Sequence, residues 1–159
     1  MDLLCKAFID PGDVILVENP SFLGNLQCMK LYQARLIPVD SDENGMLMDS
    51  LEEKIREYRP KMLYTIPTFQ NPTGKTLPAD RRKTVAELAA KYNMIVAEDD
   101  PYRDLRYSGD PLPSIKSFDP DGHVVFLGSF SKIISPGLRV GYMAGEQDII
   151  RKCTIGKQS

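Results

Sequence analysis

A three-layer α/β domain is the fold class this sequence of 159 residues predicts: a mostly parallel sheet with one antiparallel strand and helices on both faces. Three observations lead there. Short, continuously apolar runs alternate with longer segments of helical period, the pattern of strand–helix–strand units joined by right-handed crossovers. The runs lack polar alternation, as strands covered on both faces require. The final apolar segment follows its predecessor after a short connection holding Pro136-Gly137, too short for a helical crossover, so it is expected to run antiparallel.

Taken in order, Val14-Ile15-Leu16-Val17 opens the sheet, and Ser21 to Gln33 reads as the first crossover helix. Leu36-Ile37-Pro38-Val39 is the second buried run. Asp49-Ser50-Leu51-Glu52 has the spacing of a capping box, in which an N-cap side chain and a glutamate three residues on satisfy free helix N–H groups. The helix it predicts carries Leu51, Ile55 and Tyr58 on one face. Met62-Leu63-Tyr64-Thr65-Ile66 is the third strand. Residues 79–92 follow as a helix with Val85, Leu88, Ala89 and Tyr92 on its apolar stripe, and with Asp80, Arg81, Arg82 and Lys83 read toward solvent. Met94-Ile95-Val96-Ala97 and Val124-Val125-Phe126-Leu127 are the fourth and fifth strands. Between them, 103–122 is rich in proline and glycine and reads as an irregular excursion. Residues 138–144 are the antiparallel strand, and 146–156 the closing helix.

Composition excludes several function classes. The 42% hydrophobic content is enough for a core, and the length suits one domain. Twenty basic against 22 acidic side chains and a pI near 5.5 argue against binding nucleic acid or a membrane surface by bulk charge. No apolar run approaches the ~20 residues that span a bilayer. The start, M-D-L-L-C-K-A-F-I-D-P-G-D, does not read as a secretory signal, so a cytoplasmic location is expected. Cys5, Cys28 and Cys153 are odd in number and widely spaced, which predicts free thiols rather than a disulfide framework. The single histidine, His123, stands at a strand start, so neither a zinc site nor a histidine-based triad is expected.

Ligands of open parallel sheets bind at the carboxyl ends of the strands. Here those ends are followed by Glu18-Asn19-Pro20-Ser21-Phe22, by Pro67 to Gly74 containing Asn71, by Glu98-Asp99-Asp100-Pro101-Tyr102, and by Gly128-Ser129-Phe130-Ser131-Lys132 with Arg139 seven residues on. Singly, each reads as an ordinary turn, cap or rim. Together they suit a planar heterocycle carrying an aldehyde and a phosphate. Lys132 is an amine that can condense with the aldehyde. Asp99 can hold a pyridine nitrogen protonated, making the ring an electron sink. Asn71 and Tyr102 can donate to a phenolate oxygen, Phe22 can stack on the ring, and Ser129, Ser131 and Arg139 can take the phosphate. Pyridoxal 5'-phosphate fits each requirement.

On these motifs the chain resembles the class I/II aminotransferases of the fold-type I pyridoxal-phosphate enzymes, and most of all the 2-aminoadipate, kynurenine and aromatic aminotransferase group. The resemblance runs over essentially the whole chain. It rests on Asn71 in N-P-T-G, Asp99 and Tyr102 in D-D-P-Y, Ser129, Ser131 and Lys132 in S-F-S-K, and Arg139 in P-G-L-R. Where relatives usually carry tyrosine, this chain has Phe22, which keeps stacking and loses a hydroxyl. The resemblance implies a pyridoxal-phosphate enzyme with Lys132, Asp99 and Tyr102 as catalytic residues. It implies amino-acid and 2-oxo-acid substrates, a homodimer in the full-length protein, and no nucleic-acid or membrane partner for this domain. It also implies that residues 1–159 are a truncated cofactor-binding large domain beginning inside a helix like Asp2–Ile9, with an N-terminal segment and a C-terminal small domain absent. The antiparallel strand would then be left with an unpaired edge. An alternative is an aminotransferase-like ligand-sensing domain of a winged-helix transcription regulator.

Overall fold

The computed structural model describes residues 1–158. Five α-helices and eight β-strands follow one another as α1 (Asp2–Phe8), β1 (Val14–Glu18), α2 (Leu23–Leu31), β2 (Arg35–Val39), β3 (Ser41–Asp42), β4 (Gly45–Met46), α3 (Met48–Tyr58), β5 (Met62–Thr65), α4 (Ala79–Tyr92), β6 (Ile95–Asp99), β7 (Val124–Ser129), β8 (Gly141–Ala144) and α5 (Gln147–Gln158). Six strands form one sheet in the order β2-β1-β5-β6-β7-β8. All its pairs are parallel except the last, where Ser129 lies opposite Gly141 and Phe126 opposite Ala144.

Side chains alternate across a pleated strand, so each strand feeds two cores. Val14 and Leu16 of β1, Leu63 of β5, Val96 of β6 and Val124 of β7 join Leu51 and Ile55 of α3 and Val85, Ala86 and Ala89 of α4 in one apolar cluster. Ile15 and Val17, Met62 and Tyr64, Ala97, and Val125 and Leu127 join Leu4 and Cys5 of α1, Met29 of α2 and Cys153 of α5 in the other. The result is the expected three-layer arrangement. β1 and β5 are buried at every position, which is why their sequences show no polar alternation.

Several local expectations need correction. β2 is an edge strand bonded to β1 alone, with Arg35 and Pro38 exposed, so it is not a run covered on both faces. Proline is tolerated there because an edge strand has one unpaired side. The capping box does not form: α3 begins at Met48, one residue before Asp49, and its N-cap, Leu47, makes no side-chain bond. Ser50 instead bonds Asp40, and Glu52 accepts from Arg56, Lys91 and Tyr92. β8 starts at Gly141 rather than Leu138, because Pro136–Leu138 close a single 3-10 turn in which Ser135 Oγ accepts from the Gly137 N–H. The hairpin β3–β4 was not anticipated; it turns at Glu43-Asn44, and Gly45 follows at φ +99°, a conformation that favours glycine.

The largest correction concerns Arg82. It is fully buried rather than facing solvent. Its Nε donates to Leu77 O at 2.7 Å, Nη1 to Pro113 O at 3.0 Å, and Nη2 to Pro67 O at 2.8 Å and Thr68 Oγ1 at 3.0 Å. One planar guanidinium thus joins the segment after β5 to the irregular excursion. Other expectations hold: Cys5 and Cys153 are buried and Cys28 half-buried, all three as free thiols. His123 immediately precedes β7, and its backbone N–H donates to Asp119. No helix among the described residues is long and apolar enough to cross a membrane.

Candidate functional site

The exits of β1, β5, β6 and β7 converge on a cleft of about 850 Å³. Phe22, Asn71, Asp99, Tyr102, Ser129, Ser131, Lys132 and Arg139 all line it, so the fold brings every residue singled out in the sequence to one place. Strand parity decides which side chains reach it. Ala97 and Asp99 lie on the same side of β6, and Val125, Leu127 and Ser129 on the same side of β7, the side that faces α1, α2 and α5. Glu98 and Asp100, the neighbours of Asp99, point the opposite way.

Asp99 is the last residue of β6, and two side chains bond its carboxylate. Its Oδ2 accepts from Tyr64 OH at 2.8 Å and from Asn25 Nδ2 at 3.0 Å, and Asn25 Nδ2 also donates to Tyr64 OH at 2.7 Å. Burial raises the Asp99 carboxyl above its ordinary value, while the bonds from Tyr64 and Asn25 oppose that rise. Burial also raises the Tyr64 hydroxyl, reinforced by the charge of Asp99, so the phenol stays a donor.

The other side chains sit on the loops around it. Asn71 Nδ2 is 3.4 Å from Tyr102 OH, which puts the amide and the phenol side by side. Lys132 Nζ lies 5.9 Å from the centre of the Tyr102 ring. Ser129 Oγ accepts from the Ser131 N–H at 3.1 Å and shapes the turn that leads to Lys132. Arg139 closes the following turn at φ +52°, a left-handed conformation that is uncommon outside glycine and concentrates at functional sites. Phe22 caps α2 with 40% of its surface exposed. Gly24 leaves room for that ring, since a Cβ there would lie 2.8 Å from Phe22 Cζ.

Behind the cleft, Glu18 locks two of these loops together. It is buried, and its Oε2 accepts the Ile66 N–H at 2.9 Å, while Gln70 Nε2 donates to Pro20 O at 2.8 Å. Burial pushes the Glu18 carboxyl from its ordinary 4.5 up to about 7. The raised folded-state value means that the proton is held more tightly in the native chain than in the unfolded one. Its stabilising contribution is therefore full below about pH 4.5 and is lost as pH rises through about 7. Glu18→Gln should flatten the fall in stability between those limits, by an amount on the order of 1–3 kcal/mol. Urea unfolding of the two chains at pH 5 and pH 8 checks this, and parallel pH profiles would refute it.

Sequence reasoning missed Asn25, Tyr64 and Arg82. Asn25 lies three residues past Phe22, and Tyr64 has the parity of Asp99 across β5 and β6, where Tyr64 pairs with Ala97. For Arg82 the signal was its helical spacing: Val85, Ala86 and Ala89 follow at i+3, i+4 and i+7 and are all buried.

Comparison with known proteins agrees with this geometry. The family described as "Aminotransferase class I and II" matches residues 1–158. Aromatic-amino-acid aminotransferase 1 of Thermococcus litoralis is 48% identical over 100% of this chain and 39% of its own length. The crystal structure of Pyrococcus horikoshii kynurenine aminotransferase superposes with a TM-score of 0.96 at 48% identity, over 99% of this chain and 40% of that one. LysN, the alpha-aminoadipate aminotransferase of Thermus thermophilus, complexed with N-(5'-phosphopyridoxyl)-L-leucine, gives a TM-score of 0.92 at 38% identity, over 99% and 41%. The chain thus spans about 40% of the length of these relatives.

Proposed function

Because the chain belongs to the class I and II aminotransferase family, we propose that the whole protein transfers an amino group between an amino acid and a 2-oxo acid, with pyridoxal 5'-phosphate as cofactor. Residues 1–159 would form most of the cofactor-binding large domain, with the N-terminal segment and the small domain supplied by the rest of the protein. The 40% share of the relatives' length supports that division. The observation that carries the reading is the convergence of Asp99 and Lys132, from separate strand exits, on one cleft with Asn71 and Tyr102 between the loops.

The donor set fits the cofactor. A half-buried carboxylate, an amine, two hydroxyls and a guanidinium line the same cleft as an aromatic ring. When bound, pyridoxal phosphate supplies an aldehyde for an amine and a ring that accepts electrons. Asp99 would keep a proton on the ring nitrogen through its charge. Asn71 Nδ2 and Tyr102 OH would orient the ring by donating to its phenolate oxygen. Ser129, Ser131 and Arg139 would bind the phosphate, Arg139 by a charge-assisted pair. Phe22 would cover one ring face and exclude water from it. Lys132 Nζ would bind the aldehyde carbon, then yield to the amino donor and move the proton from the substrate's α-carbon as a general base.

A homodimer and a cytoplasmic location complete the proposal. Three free thiols support a reducing compartment, and a net charge of -2 supports small-molecule rather than nucleic-acid or membrane partners. The sensing-domain alternative is the less favoured one, since the relatives above are enzymes by name. The test is made on the full-length protein. With pyridoxal phosphate present and no second substrate, addition of an amino acid should shift the cofactor absorption and release one equivalent of the matching 2-oxo acid. No shift with any of the twenty amino acids would refute it.

A further inference from the structure

We propose that Tyr64 and Asn25 are positioning residues for Asp99: together they hold Oδ2 and keep the carboxylate ionised, leaving Oδ1 as the oxygen available to a ligand. The three side chains form a closed ring of hydrogen bonds. Asn25 Nδ2 donates to both Tyr64 OH and Asp99 Oδ2, and Tyr64 OH donates its own hydrogen bond to Oδ2. Both donors therefore converge on one oxygen, and among the described residues no hydrogen bond reaches Oδ1. The three come from different elements, α2, β5 and β6, so the arrangement is a product of the tertiary fold.

Burial by itself pushes the carboxyl of an aspartate in this position above its ordinary value. A neutral carboxylic acid could not stabilise a protonated ring nitrogen by charge, so something must offset the desolvation. The groups facing Asp99 are few. Tyr64 comes from β5, Asn25 from α2, the Met1 amino group from the start of α1, and Asp100 is the next residue. Lys132, Tyr102 and Arg139 line the same cleft from the other strand exits. Tyr64 and Asn25 are the two that bond the carboxylate directly. A phenol accepting from an amide while donating to a carboxylate is a better donor than a free phenol, because linked hydrogen bonds polarise one another.

The use of this clamp for a cofactor rests on the function proposed above, while its effect on Asp99 does not. The test is a carbon-13 titration of aspartate carboxyl groups in the chain, with the Asp99 signal assigned by its loss in Asp99→Asn. Tyr64→Phe should raise the Asp99 midpoint by about one pH unit, and Asn25→Ala should raise it by less. Midpoints that stay unchanged or fall in both variants would overturn the clamp. Tyr64 is fully buried, so if Tyr64→Phe does not fold, Asn25→Ala alone decides. A merely structural role would lower the melting temperature and leave the Asp99 titration in place. The two readings fail separately. Failure of Lys132 to react with pyridoxal phosphate, with the Asp99 shift intact, removes the function; a missing shift, with Lys132 reactive, removes the clamp.

Discussion

Lys132→Ala is expected to abolish the borohydride-stable adduct that pyridoxal phosphate would leave in the cleft. The chain contains other lysines, so some surface labelling is expected at high reagent concentration. What distinguishes Lys132 is its setting, with its Nζ 5.9 Å from the centre of the Tyr102 ring and in the same cleft of about 850 Å³ as Asp99. Condensation of the amine with the aldehyde expels water, and borohydride then delivers hydride to the carbon–nitrogen double bond and fixes the label. Noncovalent contacts to the phosphate and ring would raise the local concentration of aldehyde at this amine, since well-placed groups react as if at molar or higher effective concentration. At stoichiometric reagent the label should therefore map to Lys132 in the parent chain and fall to background in the variant. Equal labelling of both chains, spread over surface lysines, would show that the cleft does not gather the cofactor.

The second large effect is on stability. Arg82→Met removes the guanidinium that joins Leu77, Pro67, Thr68 and Pro113, and it leaves three carbonyl oxygens and a hydroxyl without that donor. It also removes the positive charge that Asp100 and Glu98 feel. Both carboxyls are buried. Leaving buried acceptors without their donor costs about 1–3 kcal/mol for each group, several kcal/mol together and a large share of a small domain's stability. A fall in melting temperature on the order of 10 °C follows for a chain of this size. Methionine keeps the apolar stem and removes only the donor end, so the loss of the four hydrogen bonds is the main term. Arg82→Lys should rescue little, because an ammonium is a point donor and cannot meet four acceptors laid out for a planar fork. A melting temperature within a degree or two of the parent for Arg82→Met would refute this account. Asn71 follows Thr68 by three residues, so the same variant should also loosen the loop that carries it.

How far the sequence was legible differs between the fold and the site. The buried strands were readable because β1, β5 and the core of β7 lie between two helical layers, and only apolar side chains tolerate that position. β2 misled because Leu36, Ile37 and Val39 are apolar on an edge, where continuous apolarity has the same appearance as double burial. The capping box failed because Glu52 has three competing partners from α3 and α4, which no local spacing reveals. Arg82 read as solvated because its neighbours Arg81 and Lys83 are charged. Its burial depended on four acceptors from distant segments.

By itself, the sequence determined the layer architecture, the antiparallel last strand and the eight chemistry-bearing residues at the strand exits. Each of these is local: strand burial is written in composition, and motifs are written in spacing. Tertiary structure alone decided which neighbours act on those residues. Glu98, Asp99 and Asp100 are adjacent and chemically alike, yet the pleat turns one to the cleft beside Tyr64 and Asn25 and the other two toward Arg82. The charge of a buried carboxylate is set by what donates to it, and those donors come from strands and helices far away in the chain.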